Sequence, residues 1–219
     1  MRIRSFIIAY AFVLAIVLFA DSRRDPSPED RYSHVVDLTA GQSAPAQNPA
    51  PDSQTRIIAP DSLIPGTWTA GQIPPERLIA PLVVMDLNVA TAAQISLDDI
   101  ATWESQHGAV PQGAVVAIRQ PADKEQTPRQ LPITDQAAQF LMDARYTTGF
   151  AIDASPNLQS DRVLARQIAL HGNYVVEGTS RLAAIPATGS LIIVAPARGA
   201  SSKDKKLAAA PVRVLAMVR

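Results

Sequence analysis

From Leu82 to Glu177 the chain repeats one pattern: a short apolar run, a polar break, then an amphipathic stretch opened by a capping residue. The run "LVVMDL", Leu82 to Leu87, is almost continuously apolar, as in a strand buried on both faces. "SLDDIATWESQHG" reads as a helix: Ser96 is the N-cap, Asp99 supports it three residues later, Ile100 and Trp103 share a face, and Gly108 stops it. "AVVAIR" from Ala114 to Arg119 is a second strand, and Thr134 caps a second helix with Ala137, Leu141 and Ala144 on one face. "GFAID" is a third strand, "SDRVLARQIALHG" a helix ended by Gly172, and "YVVEG" a fourth strand. Such alternation predicts an α/β fold with a mixed sheet.

The flanks add strands. "SHVVDLTA" precedes the pattern, and "SLIIVAP" and "APVRVLAMV" follow it. "GQSAPAQNPAP", "QPADKEQTPRQLP" and "ARGASSKDKK" read as polar or proline-rich loops. No internal repeat is visible. With 219 residues, 47% of them hydrophobic, the chain can bury a sizeable core.

At the N-terminus, "MRIRS" is basic and "FIIAYAFVLAIVLFA", Phe6 to Ala20, carries no charge. The run is short for a membrane span and matches the apolar core of a signal peptide. Leu18 fits the small-x-small cleavage rule poorly, so cleaved signal and uncleaved apolar-helix anchor both stand. Residues 1–20 are read as that segment, 21–32 as a solvated tether, and 33–219 as the domain. The expectation is export, with the domain periplasmic or facing outward from the cytoplasmic membrane.

Twenty basic and twenty acidic residues balance, so no basic stripe suggests a nucleic-acid partner. The absence of cysteine excludes disulfides and thiolate metal sites. There is no G-x-S-x-G elbow, P-loop, H-E-x-x-H or G-x-G-x-x-G. His107 and His171 each end a helix just before or near a glycine, where an imidazole meets the negative end of the dipole; His34 opens the first strand and reads as surface. Asp37, Asp86, Asp153 and Glu177 sit on or at the ends of apolar strands, where they either line a ligand crevice or cap a turn.

"VVDLT", "IPPERLIAPLVVMDL", "ISLDDIATWESQHGAVPQGAVVAIR", "LPITDQAAQFLMDARYTTGFAID", "YVVEGTSRL" and "APVRVLAMV" together resemble the cyclase family of metal-dependent hydrolases, which includes the bacterial kynurenine formamidases. In order and spacing these cover nearly everything from Ser33 to Arg219. The resemblance implies a swivelling β/β/α domain, usually in dimers or tetramers. It also implies hydrolysis of N-formylkynurenine to kynurenine, in tryptophan catabolism, with zinc or manganese.

Active relatives carry H-x-x-x-H-x-D-x-x-x-H, with G-T before the second His and A-P after the Asp, then a later His and a Glu twelve residues beyond it. Ala59-Pro60 match the A-P, and Ile73-Pro74 follow at the family's distance. In this register the first ligand position falls on Asp52, and the G-T on Gln54-Thr55. The second His falls on Arg56, the Asp on Ile58, the last His on Ser62, the later His on Ala165, and the Glu on Glu177. Only Glu177 is the expected type, and Asp52 could substitute as an oxygen ligand. Arg56 stays protonated and cannot bind a metal, so the resemblance implies a degenerate site without a resident metal, Glu177 and Asp52 being weak ligands at most.

Three functions follow as expectations. One is a binding or scaffold protein that holds a small carboxylate-type ligand on Arg56, with Glu177 facing it. Another is an amide hydrolase with a site rebuilt from Asp52, Ser62, Glu177 and His34. The last is a structural subunit, in a homo-oligomer or paired with an intact relative.

Overall fold

A computed structural model of the chain describes residues 32–40, 54–87, 94–120, 131–153, 162–196 and 209–219. The N-terminal apolar segment, most of the tether and Asp52 lie outside the described residues. The fold below is that of the compact unit His34–Arg219. Among the described residues no helix is long and apolar enough to cross a membrane.

Among the described residues eight strands form one mixed sheet: β1 (His34–Asp37), β2 (Arg56–Ile58), β3 (Ile79–Asp86), β4 (Val115–Arg119), β5 (Gly149–Ile152), β6 (Tyr174–Glu177), β7 (Ser190–Pro196) and β8 (Ala209–Val218). Their order is β1-β8-β2-β6-β5-β4-β3-β7, and β7 also pairs with β8. That extra pairing closes seven strands into a barrel, with β1 added outside on β8. Strands β3 to β6 run parallel, and β2 and β7 join them antiparallel. The parallel strands are the apolar runs of the alternating pattern, while the antiparallel ones come from the flanks.

Each sheet face has its own core. Inside the barrel pack Leu82, Val84, Ala117, Ala151, Tyr174, Val176 and Val214, with others. Outside, Val83, Met85, Val116, Ile118, Phe150, Ile152 and Val175 pack under helices. This inside–outside alternation is why β3 to β6 read as continuous hydrophobic runs.

The covering helices are α3 (Leu97–His107), α4 (Asp135–Ala144) and α5 (Arg162–Leu170); α1 (Pro60–Leu63) and α2 (Pro75–Leu78) are single turns. Both longer caps form as expected. The Ser96 hydroxyl accepts from Asp99 N–H while Asp99 Oδ2 accepts from Ser96 N–H at 2.8 Å, and the Thr134 hydroxyl accepts from Ala137 N–H. These bonds satisfy N–H groups that the first turn leaves without partners. Strand β2 and helices α1 and α2 are absent from the sequence expectation. They are too short to carry a period, and prolines at 60, 74 and 75 obscure the reading.

Candidate functional site

Strand β2 lies between β6 and β8, antiparallel to both, and its register sets Arg56 opposite Glu177, Ile57 opposite Val176 and Ile58 opposite Val175. Ile58 and Val175 belong to the outer core, together with Ala165 of α5. Side chains two apart on a strand share a face. Arg56 and Glu177 therefore project to the same outer side as Ile58 and Val175. Ser62 sits on α1, which packs against α5. Arg56, Ile58, Ala165 and Glu177 thus lie on the outer face at β2 and β6, and Ser62 sits on the short helix that follows β2.

Tight backbone packing fixes this end. The Thr55 side chain is buried; its hydroxyl donates to the Gly178 carbonyl at 2.7 Å and accepts from Ala40 N–H at 2.6 Å. Gly178 has φ +65°, and a Cβ there would stand 2.9 Å from the Gln54 carbonyl oxygen. Glycine alone meets both demands without strain. Glu177 is 7% exposed, and Arg56 Nε is buried with no acceptor. The strand register relates the two.

The other strand-end carboxylates serve locally. Asp37 accepts from Thr39 N–H at 3.0 Å, closing a turn, and pairs with Arg213. Asp86 pairs with Arg119 on the neighbouring strand. Asp153 accepts from Gln120 N–H through both oxygens, at 3.2 and 3.0 Å. Burial pushes its pKa up, and the Gln120 hydrogen bond partly offsets this.

The histidines stay away from Glu177. His171 Nδ1 lies 2.8 Å from the Gln167 carbonyl oxygen and its Nε2 2.8 Å from Asp143 Oδ1, so it caps α5 and ties it to α4. His107 is the last residue of α3, exposed, its ring 4.9 Å from that of Trp103. His34 is exposed and pairs in register with Val218, seven residues along β8 from Pro211, the partner of Arg56. At about 3.3 Å per residue that is roughly 23 Å.

The family model "Putative cyclase" matches residues 36–156, more than half of the chain. The chain belongs to the Cyclase family. Solved structures of the same fold include isatin hydrolase A from Ralstonia solanacearum: TM-score 0.67, 21% identity, covering 85% of this chain and 92% of that one. Isatin hydrolase A from Labrenzia aggregata, bound to benzyl benzoate, gives TM-score 0.64 at 22% identity, covering 84% and 93%. A potential metal-dependent hydrolase with cyclase activity gives 0.63 at 24%, covering 85% and 98%. No curated protein matches the sequence.

The metal positions of the Cyclase family can be tested against the residues present. Arg56 has no lone pair to give at any ordinary pH, Ile58 and Ala165 have no donor atom, and Ser62 offers one neutral hydroxyl. Glu177 is the one carboxylate at these positions among the described residues, and Asp52 lies outside them. Among the described residues no group of three His, Cys, Asp or Glu could hold a metal ion. The described residues at these positions do not by themselves supply the donors of a zinc or manganese centre. Sequence reasoning missed Thr55 as an organiser of the site; its match to the family's G-T dipeptide was the available signal.

Proposed function

We propose that this Cyclase-family chain is an exported binding protein that holds a small carboxylate at Arg56 and no longer hydrolyses amides. One observation carries the reading. Arg56 stands in register with buried Glu177, at a position the family gives to a metal ligand, and its Nε is buried without an acceptor. A buried donor lacking a partner costs free energy, and a ligand carboxylate satisfies it. The planar guanidinium presents its donors as a fork matched to a carboxylate. Ile58 and Ala165 give the neighbourhood an apolar lining. Without a general base Ser62 is a poor nucleophile, and the set is assigned to binding and not to the activation of water. The basic and apolar start of the chain supports export.

The test uses purified protein. The expected result is no zinc or manganese at one per chain and no turnover of N-formylkynurenine or isatin. Added benzoate should raise the melting temperature, and Arg56→Ala should abolish that rise. Stoichiometric metal that a chelator removes with loss of turnover would overturn the reading, as would benzoate protection that survives Arg56→Ala.

A further inference from the structure

A cleft of about 170 Å³ lies between α3 and the outer edge of β3. On α3, Asp99, Thr102, Trp103 and Gln106 recur at i, i+3, i+4 and i+7, so one stripe of the helix lines it. Ile100 is the only fully buried residue of this helix; within the stripe Trp103 is partly buried against the core, and Thr102 and Gln106 are exposed. The facing wall is formed by Met85, Ile95, Ala187 and the strand at Val84.

Strand β3 pairs with β7 over Ile79–Leu82. Beyond that, Val84 N–H donates to the Ala187 carbonyl at 2.9 Å, and the Val84 carbonyl accepts from the Trp103 indole N–H at 3.1 Å. The indole is thereby fixed just past the end of the β3–β7 pairing. The His107 ring stands against it at 46°.

Charge decides what fits. Two carboxylates line the cleft, Asp86 and Asp99, and no lysine or arginine does. Arg119 offsets Asp86. Asp99 enters no ion pair among the described residues; its Oδ2 accepts the Ser96 N–H and hydroxyl. An aromatic wall, an apolar floor and a net negative rim are what an organic ammonium group needs.

The geometry points to a second site on this chain, in the α3–β3 cleft, that takes a small organic cation between the Trp103 indole and the carboxylates of Asp86 and Asp99. It does not depend on the Arg56 reading. β3 is three strands from β6 across the sheet, roughly 14 Å, and the two sites prefer opposite charge.

Calorimetric titration of the full chain at low salt tests it, with benzyltrimethylammonium as probe and benzyl alcohol and benzoate as neutral and anionic comparisons. The expected result is saturable binding of the cation at one per chain, at least roughly tenfold tighter than the alcohol. Thr102→Arg, at an exposed helical position, should weaken the cation at least roughly tenfold by placing a fixed charge at the mouth. Trp103→Leu should do the same by removing the π face; because Trp103 also packs on the core, that variant is checked for an intact melting transition, and Thr102→Arg carries the test if it unfolds. Arg56→Ala should leave cation binding unchanged. No saturable cation binding, equal affinity for benzyl alcohol, or undiminished binding in Thr102→Arg would overturn the proposal.

Discussion

Thr55 donates its hydroxyl to the Gly178 carbonyl, one register position outside the Arg56–Glu177 pair, and accepts from Ala40 N–H. One buried side chain thus joins three segments, two of which Ser180 also links through hydroxyl bonds to the Leu38 and Thr39 carbonyls. Its own carbonyl accepts from Val212 N–H of β8 at 3.3 Å. Thr55→Val keeps the shape and strands two buried backbone groups, at a cost of roughly 1–3 kcal/mol. Thr55→Ser keeps the hydroxyl and should cost less. Urea unfolding of the two variants compares them; equal losses would mean that the methyl group, and not the hydroxyl, holds β2.

Gly149 opens β5 beside Tyr174, whose side chain is fully buried in the barrel. A Cβ at 149 would stand 2.7 Å from the Tyr174 carbonyl oxygen and 2.8 Å from its ring. The ring cannot retreat easily, because its hydroxyl donates to the Arg77 carbonyl at 2.9 Å. Gly149→Ala should therefore cost about 1–3 kcal/mol, toward the upper end because one clashing atom is backbone. A urea midpoint unchanged from the parent would show that β5 and β6 can separate to admit a methyl group.

Two carboxylates should give opposite pH signatures. Burial raises the pKa of Asp153, so the folded state holds that proton more tightly than the unfolded chain. Its contribution is fully present below the unfolded value of about 3.9 and is lost as pH rises through the folded value. Asp153→Asn, whose amide oxygen can still accept from Gln120 N–H, should stabilise the protein at pH 7 and make little difference near pH 3. Glu104 is the reverse. Hydrogen bonds from Arg145, at 2.8 and 2.9 Å, hold its carboxyl below the usual range. Its contribution is present above about 4.3 and lost as pH falls through the folded value. Glu104→Gln should destabilise at pH 7 and converge with the parent in acid. Thermal melts of both variants at several pH values test the signs.

The parallel half of the barrel was legible because each of its elements carries a local signal. Leu82 to Leu87 is long enough to show burial on both faces, and Ser96 and Thr134 cap their helices with their own side chains. Strand β2 was not legible as a strand. Its three residues make sense through partners more than a hundred positions away, Glu177 and Pro211. Closure of the barrel by β7 on β8 is likewise a long-range pairing with no local mark. The family frame around Ala59-Pro60 drew attention to the β2 segment, which periodicity could not do. The charge at Asp86 was visible, but its pairing with Arg119 needed the register of β3 on β4.

The register of Arg56 on Glu177 predicts energetic coupling between them. Both project from one face of adjacent antiparallel strands, and opposite charges in that position contribute roughly 0.2–1 kcal/mol. Glu177 lies in a largely buried setting, where the dielectric is low and the attraction is weakly screened by salt. Arg56→Met keeps the length and removes the charge, and Glu177→Gln keeps the shape and removes the charge. The double-mutant cycle of these two, read by urea unfolding at 25 °C, should return a favourable coupling in that range, and the same cycle in 0.5 M salt should return nearly as much. Strict additivity would place the two charges too far apart to sense one another, and a coupling abolished by salt would place the pair in solvent.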